Sequence, residues 1–191
     1  MQLQELVKNI QFKGTPDNRE ISFITYDSRK VKPGTLFVAI SGMQTDGHEF
    51  IPQAIENGAV AILSNGRSPK TKAVPILQVK DPRLAMSQIS AQFYGNPSEK
   101  MNIVGITGTN GKTSITHILH HILQTSGAAC GTLGTLGFQT PSGMVSTGFT
   151  TPESVELQQM LQTLILAGVD NLVMEISSHA LDLHRVDDVE V

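Results

Sequence analysis

Gly105-Ile106-Thr107-Gly108-Thr109-Asn110-Gly111-Lys112-Thr113-Ser114 follows the apolar run Asn102-Ile103-Val104 and precedes a segment with apolar residues at Ile115, Ile118, Leu119, Ile122 and Leu123. The order is strand, glycine loop, amphipathic helix. Glycines let consecutive backbone N–H groups turn toward one point, and the helix adds its unpaired N–H groups and positive dipole end, so such a loop binds phosphate. Lys112 supplies a charge for β- and γ-phosphates, and the Thr113 hydroxyl stands where it can ligate the Mg²⁺ that accompanies a nucleoside triphosphate. A plain glycine turn gives no reason for Lys and Thr to follow its last glycine. The spacing departs from G-x-x-x-x-G-K-[ST], because the first glycine of that pattern falls on Ile106 and the chain offers Gly105 and Gly108 instead.

Downstream of the loop the helix ends at Ser126-Gly127, and Ala128–Thr132 reads as a short strand with Cys130 buried in it. A single cysteine forms no internal disulfide. Gly131 to Gly148, rich in Gly, Thr and Ser, suits a hairpin or a mobile loop. Thr151-Pro152 caps a helix whose apolar face is Val155, Leu157, Met160, Leu161, Leu164 and Ile165, closing at Gly168. The next strand, Asn171–Ile176, is expected beside the strand that carries the loop, which brings Glu175 to the phosphate site. A carboxylate there is costly to desolvate unless paired, and a Mg²⁺ shared with Thr113 compensates it; the alternative is a solvated strand end. His117 and His121 stand four apart, but Ile118 occupies the place of a zinc protease's Glu, so a solvated helix face is expected. His179 either orients Ser177 or a phosphate, or is structural. His48 and His184 carry no signal.

Upstream, a short helix (Leu3, Leu6, Val7, Ile10) and a strand Ile21–Tyr26 precede Asp27-Ser28-Arg29, and Thr35–Ile40 is an apolar strand of the kind buried on both faces. Ser41–His48 is a polar loop at a strand's carboxyl end, where open α/β sheets keep ligand crevices. A helix Glu49–Asn57, a strand Ala59–Leu63, a polar and mobile stretch Ser64–Ala73 and a strand Ile76–Val79 follow. Asp81-Pro82 opens a helix to about Tyr94, and Gly95-Asn96-Pro97 places a domain boundary near residue 98. The 191 residues, 39% hydrophobic and 16% charged, suit a globular α/β chain. A net charge of −3, no basic cluster and no Trp argue against nucleic acid. No apolar run reaches the ~18 residues of a membrane span and the N-terminus is not a signal peptide, so a cytoplasmic location is expected.

The loop Gly108-Thr109-Asn110-Gly111-Lys112-Thr113 resembles the variant phosphate loop of the Mur ligase family of ATP-dependent amide-bond-forming enzymes. Thr150-Thr151-Pro152-Glu153 and Met174-Glu175-Ile176-Ser177-Ser178-His179-Ala180-Leu181 resemble those members that add the third peptide residue to UDP-N-acetylmuramoyl-L-Ala-D-Glu in peptidoglycan synthesis. Tyr26–Arg29, Lys32–Ala39 and Gly42–Gly47 resemble the same members' UDP-binding domain, so essentially the whole chain is covered. The resemblance implies a UDP-substrate-binding α/β domain over 1–98 and the first part of a P-loop ATPase-type α/β central domain over 99–191. It implies that Tyr26 and Ser28 contact uridine, with Met43, Gln44 and Thr45 lining that pocket, and that Gly108 to Ser114 hold ATP. Thr150, Thr151, Ser177 and Arg185 are implied to hold the muramoyl-dipeptide. Where some members have Gln two residues before that Arg, this chain has Leu183.

The implied reaction is phosphoryl transfer from ATP to the D-Glu side-chain carboxylate, giving an acyl phosphate that the amine of a diamino acid attacks. Lys112 and Glu175 are expected to carry the catalysis, Lys112 on phosphate and Glu175, with Thr113, on Mg²⁺. Whether the diamino acid is meso-diaminopimelate or L-lysine is unreadable. The family has three domains, so a chain stopping at Val191 is expected not to ligate by itself, and Val173–Ile176 is expected to form an exposed apolar sheet edge. Two other readings stand beside this one: a non-catalytic nucleotide- or UDP-sugar-binding module, and a folylpolyglutamate synthetase, in which the passages around Ser28 and Gln44 have no purpose.

Overall fold

A run apolar at every position, such as Leu36-Phe37-Val38, suits a strand covered on both faces, and it lies inside an all-parallel sheet. The computed structural model describes residues 1–42, 45–66 and 73–191. In chain order its first elements are α1 (Leu3–Leu6), β1 (Phe23–Thr25), β2 (Thr35–Val38), α2 (Ile51–Glu56), β3 (Ala59–Ser64), β4 (Ile76–Gln78) and α3 (Pro82–Phe93). The strands pair in parallel in the order β1-β2-β3-β4. Phe37, Ala39, Ile51, Ala54, Ala59 and Ile62 pack together in this sheet's core. Asp81 opens α3 by accepting from the backbone N–H groups of Arg83 (2.9 Å) and Leu84 (3.1 Å), as its place before Pro82 predicts.

The chain divides into two units, Met1–Ile89 and Ser90–Val191, so the division falls inside α3. The break expected near residue 98 is a left-handed Asn96 (φ 47°) and a 3-10 turn, Pro97–Lys100. The second unit contains β5 (Asn102–Ile106), α4 (Lys112–Thr125), β6 (Cys130–Gly134), β7 (Gly137–Thr140), β8 (Gly143–Val145), α5 (Ser154–Leu166), β9 (Asn171–Glu175) and α6 (Ser178–Asp182). Its sheet order is β5-β9-β6-β7-β8, with β9 parallel to both neighbours and β6, β7 and β8 antiparallel in succession. The Gly-rich stretch is therefore a three-stranded meander. Cys130 is buried at the start of β6, and burial pushes its thiol pKa up.

Three sequence expectations are corrected here. Val173-Met174-Glu175 is no exposed edge, because β9 lies between β5 and β6; Val173 and Met174 are fully buried, and among the described residues the sheet's edge strands are β5 and β8. Helix α4 turns Ile115, Ile118 and Ile122 outward, 50–61% exposed, and buries Thr116 and His120. Thr151-Pro152 does not cap α5; the helix begins at Ser154 with Glu153 at its N-cap, and the Thr151 side chain is used elsewhere.

Side chains alternate across a strand. Leu172 and Met174 of β9 join Leu157, Leu161 and Leu164 of α5 and Leu133 of β6 in one core. Val173 and Glu175 alternate to the opposite face, where α4 begins. Each fully buried Leu of α5 contributes ~1.5–3 kcal/mol through burial. No helix among the described residues is long and apolar enough to cross a membrane.

Candidate functional site

Gly105 is not part of the loop's turn. It lies inside β5, where an added Cβ would stand 2.6 Å from the Ile176 side chain, so its smallness lets β9's continuation press on the strand. The turn is made by Gly108 (φ 144°) and Gly111 (φ 83°), conformations that glycine tolerates and other residues resist. Gly111 is the N-cap of α4, and residues Thr107 to Gly111 are exposed, with their backbone open to a ligand. Lys112 Nζ donates to the loop's own Gly108 carbonyl at 2.8 Å. Lys112, Thr109, Asn110 and Ser114 thus gather on one loop and the first turn of one helix.

The parallel register pairs Ile106 with Glu175, which brings the end of β9 beside the loop. Glu175 is 1% exposed, and its carboxylate meets three donors. Thr113 Oγ1 donates to Oε2 at 3.1 Å, Thr135 Oγ1 donates to the same oxygen at 3.1 Å, and the Thr135 backbone N–H donates to Oε1 at 2.9 Å. Such donors offset much of the desolvation cost of a buried carboxylate. Gly134 makes room for it, since a Cβ at that position would lie 2.3 Å from Oε1. Thr135 and Gly134 went unnoticed in the sequence; the one available signal was a Gly-Thr pair closing a strand in a hairpin-like stretch.

Thr150, Thr151, Ser177 and Arg185 are brought together. Thr151 Oγ1 donates to the Glu175 carbonyl at 2.9 Å and accepts from the Ser177 backbone N–H at 3.1 Å. Ser177 Oγ caps α6 by accepting from Ala180 N–H at 3.1 Å. Arg185 donates to the Thr151 carbonyl at 3.0 Å and pairs with Glu153 at 2.8 Å, with both side chains largely buried. The backbone explains how Arg185 arrives there. His184 adopts φ 55° after α6, and Arg185 N–H returns to Ala180 O at 2.9 Å, a left-handed helix ending that turns the chain back. Thr150 Oγ1 lies 3.1 Å from Thr135 Oγ1, so the Thr150–Thr151 loop touches the Glu175 cluster at both residues. His117 and His121 lie on the outer part of α4, with His121 exposed, and His179 is exposed on α6.

In the first unit Tyr26 follows β1 and Ser28 opens a 3-10 turn capped by Asp27. Strands β1 and β2 are parallel, so Tyr26 and Ser28, after β1, and Ser41, after β2, lie toward the same carboxyl end. Ser28 is buried and Thr45 is exposed. Met43 and Gln44 lie outside the described residues. The Arg29 side chain hydrogen-bonds Asp27 and holds its carboxyl below the ordinary range. A hydrogen bond from His48, Nδ1 to Asp46 Oδ1 at 2.5 Å, does the same for Asp46.

Known proteins match both units. The model for the Mur ligase family, catalytic domain, matches residues 20–94, and that for the Mur ligase middle domain matches residues 106–191. The chain is similar to the UDP-N-acetylmuramoyl-L-alanyl-D-glutamate--2,6-diaminopimelate ligase of Caldanaerobacter subterraneus subsp. tengcongensis, 44% identical over 98% of this chain and 39% of the relative. It is 43% identical to the ligase of the same name from Syntrophomonas wolfei, over 100% of this chain and 39% of that protein. A solved structure of a ligase of that name superposes with a TM-score of 0.82 at 25% identity, covering 100% of this chain and 39% of its own. MurF from Acinetobacter baumannii shares the fold, with a TM-score of 0.63 at 24% identity over 93% of this chain and 36% of MurF. The chain therefore spans about two fifths of the length of the curated relatives it matches. With the catalytic-domain model on its first unit and the middle-domain model on its second, it belongs to the Mur ligase family.

Proposed function

We propose that this chain forms the UDP-substrate- and ATP-binding part of a cytoplasmic ligase that joins a diamino acid, diaminopimelate, to UDP-N-acetylmuramoyl-L-Ala-D-Glu in peptidoglycan synthesis. One observation carries the reading: a buried carboxylate, Glu175, is held open toward Thr113 on the first turn of the helix that follows a phosphate loop. The substrate and the diamino acid come from the names of relatives that are 43–44% identical along nearly the whole chain.

The residues also fit a metal of a particular kind. Among the described residues no cluster of three His, Cys, Asp or Glu exists. The site offers one carboxylate and one hydroxyl, leaving other positions for phosphate oxygens and water, which is the ligation Mg²⁺ prefers over an all-protein cage. Thr113 and Glu175 would hold it, and its chemistry there is to neutralise charge on the transferring phosphoryl group. Gly108 to Ser114 seat the triphosphate, and Lys112, released from the Gly108 carbonyl, follows the charge on the terminal phosphates. Thr150, Thr151, Ser177 and the Arg185–Glu153 pair shape the neighbouring loop for the muramoyl-dipeptide. Tyr26, Ser28, Met43, Gln44 and Thr45 receive the uridine.

The test is calorimetric titration of Mg²⁺–ATP and of UDP-N-acetylmuramoyl-L-Ala-D-Glu into the purified chain. Both bind, and Lys112→Ala loses most of the nucleotide affinity while keeping the UDP-substrate and the fold. A well-folded chain that takes up neither ligand at millimolar concentration overturns the reading.

A further inference from the structure

Two of the three donors on the Glu175 carboxylate come from one residue outside the phosphate loop. Thr135 sits in the turn between β6 and β7, exposed to solvent, yet its backbone N–H and its hydroxyl each take one carboxylate oxygen. Its place there is made by Gly134, where any side chain would collide with Glu175. A hydroxyl has one proton. Because Thr135 gives its proton to Glu175, the 3.1 Å contact between Thr135 Oγ1 and Thr150 Oγ1 has Thr150 as donor. The chain of donation thus runs Thr150 to Thr135 to Glu175, and Thr113 reaches the same Oε2 from the phosphate loop.

We propose that Thr135 is a positioning residue for the nucleotide's metal: it locks the Glu175 carboxylate with Oε2 toward Thr113 and links that geometry to the Thr150–Thr151 loop. This rests on the nucleotide reading above. An exposed side chain adds little to the core, so its hydroxyl is free to serve geometry instead. Groups that hold a metal ligand in place are worth about 10–100-fold in metal affinity.

The experiment measures ADP affinity of the chain by calorimetry, with and without Mg²⁺, in wild type, Thr135→Val and Thr135→Ser. Valine keeps the backbone N–H donor and the shape, and removes only the hydroxyl. Thr135→Val is expected to lose about tenfold or more of the Mg²⁺-dependent gain in ADP affinity, to keep the Mg²⁺-free affinity, and to exchange the Thr150 and Thr151 amide hydrogens faster. Thr135→Ser restores the gain. A Thr135→Val chain with the wild-type Mg²⁺ response overturns the proposal and leaves the nucleotide reading standing. So does one that loses ADP equally with and without the metal, which marks a general structural role. A wild-type chain that binds no ADP removes the nucleotide reading, and the proposal falls with it.

Discussion

In the first unit the strands follow one another across the sheet in chain order, and the buried side chains are mainly Leu, Ile, Val, Ala and Phe with a few hydroxyls and His48. In the second unit a late strand, β9, is inserted between β5 and β6 and carries a buried glutamate, and Thr116, His120, Thr151 and Gln158 are buried elsewhere in the same unit. Both units are strand-and-helix folds of similar length. Among the described residues the first buries no carboxylate; the second brings one inside and surrounds it with donors. Burying that charge weakens a fold unless it is fully hydrogen-bonded, so the second unit trades packing for a prepared anion beside a phosphate loop.

The sharpest separation between the units comes from core truncation. Phe37 is fully buried in β2, and Phe37→Ala is expected to destabilise the first unit by about 3–5 kcal/mol through the cavity it leaves. Urea unfolding reads that loss, and nucleotide titration of the still-folded protein is expected to show none. A parallel fall in nucleotide affinity breaks the comparison.

Gly134→Ala probes the other side. Its methyl group has to displace the Glu175 carboxylate, at a cost of about 1–3 kcal/mol. Unlike Phe37→Ala, it is expected to lower Mg²⁺–nucleotide affinity together with stability. Unchanged affinity would mean that the carboxylate moves aside without consequence for the metal.

The smallest effect is on acid stability. Three carboxyls of the first unit, Asp17, Asp27 and Asp46, are held below their ordinary pKa by hydrogen bonds from Arg19, Arg29 and His48. A lowered folded-state pKa gives stability that is fully present above the unfolded value and lost as pH falls through the folded one. The first unit is therefore expected to weaken slightly below about pH 4, and less so at high salt, since these pairs are at the surface. Urea midpoints measured down the pH scale check this; Asp27→Asn is expected to flatten the slope.

The sequence discloses the parts of the second unit whose chemistry is local. Glycines, Lys112 and Thr113 announce the loop because phosphate binding needs those groups side by side, and Glu175 stands out because a carboxylate at the end of an apolar strand demands a partner. The outward turn of Ile115, Ile118 and Ile122 was hidden. Once Thr113 must face Glu175, helical spacing carries Thr116 and His120 onto the same buried face, and the isoleucines follow the opposite one. The loop, rather than hydrophobicity, sets the rotation of α4. Thr151 misled for a similar reason: its hydroxyl is spent on β9, so the helix waits until Ser154. The place of β9 between β5 and β6 is a matter of topology, and no local pattern encodes which two strands will flank a third. Thr135 acquires its meaning only when the meander folds over Glu175.

That insertion of β9 also has a consequence in time. Asn102 meets its partner Asn171 across a separation of 69 residues, and among the described residues β5 has no other neighbouring strand. At synthesis rates of about 5–20 residues per second, the phosphate-loop strand therefore waits roughly 3–14 seconds for the strand that pairs with it. The first unit, whose strands pair with their neighbours in sequence, is complete well before then. During that interval the edge of β5 that β9 takes, and the face of α4 that carries Thr113, Thr116 and His120, are open to other nascent chains, so the vulnerable period of this protein's life is set by how quickly residues 171–175 emerge and dock.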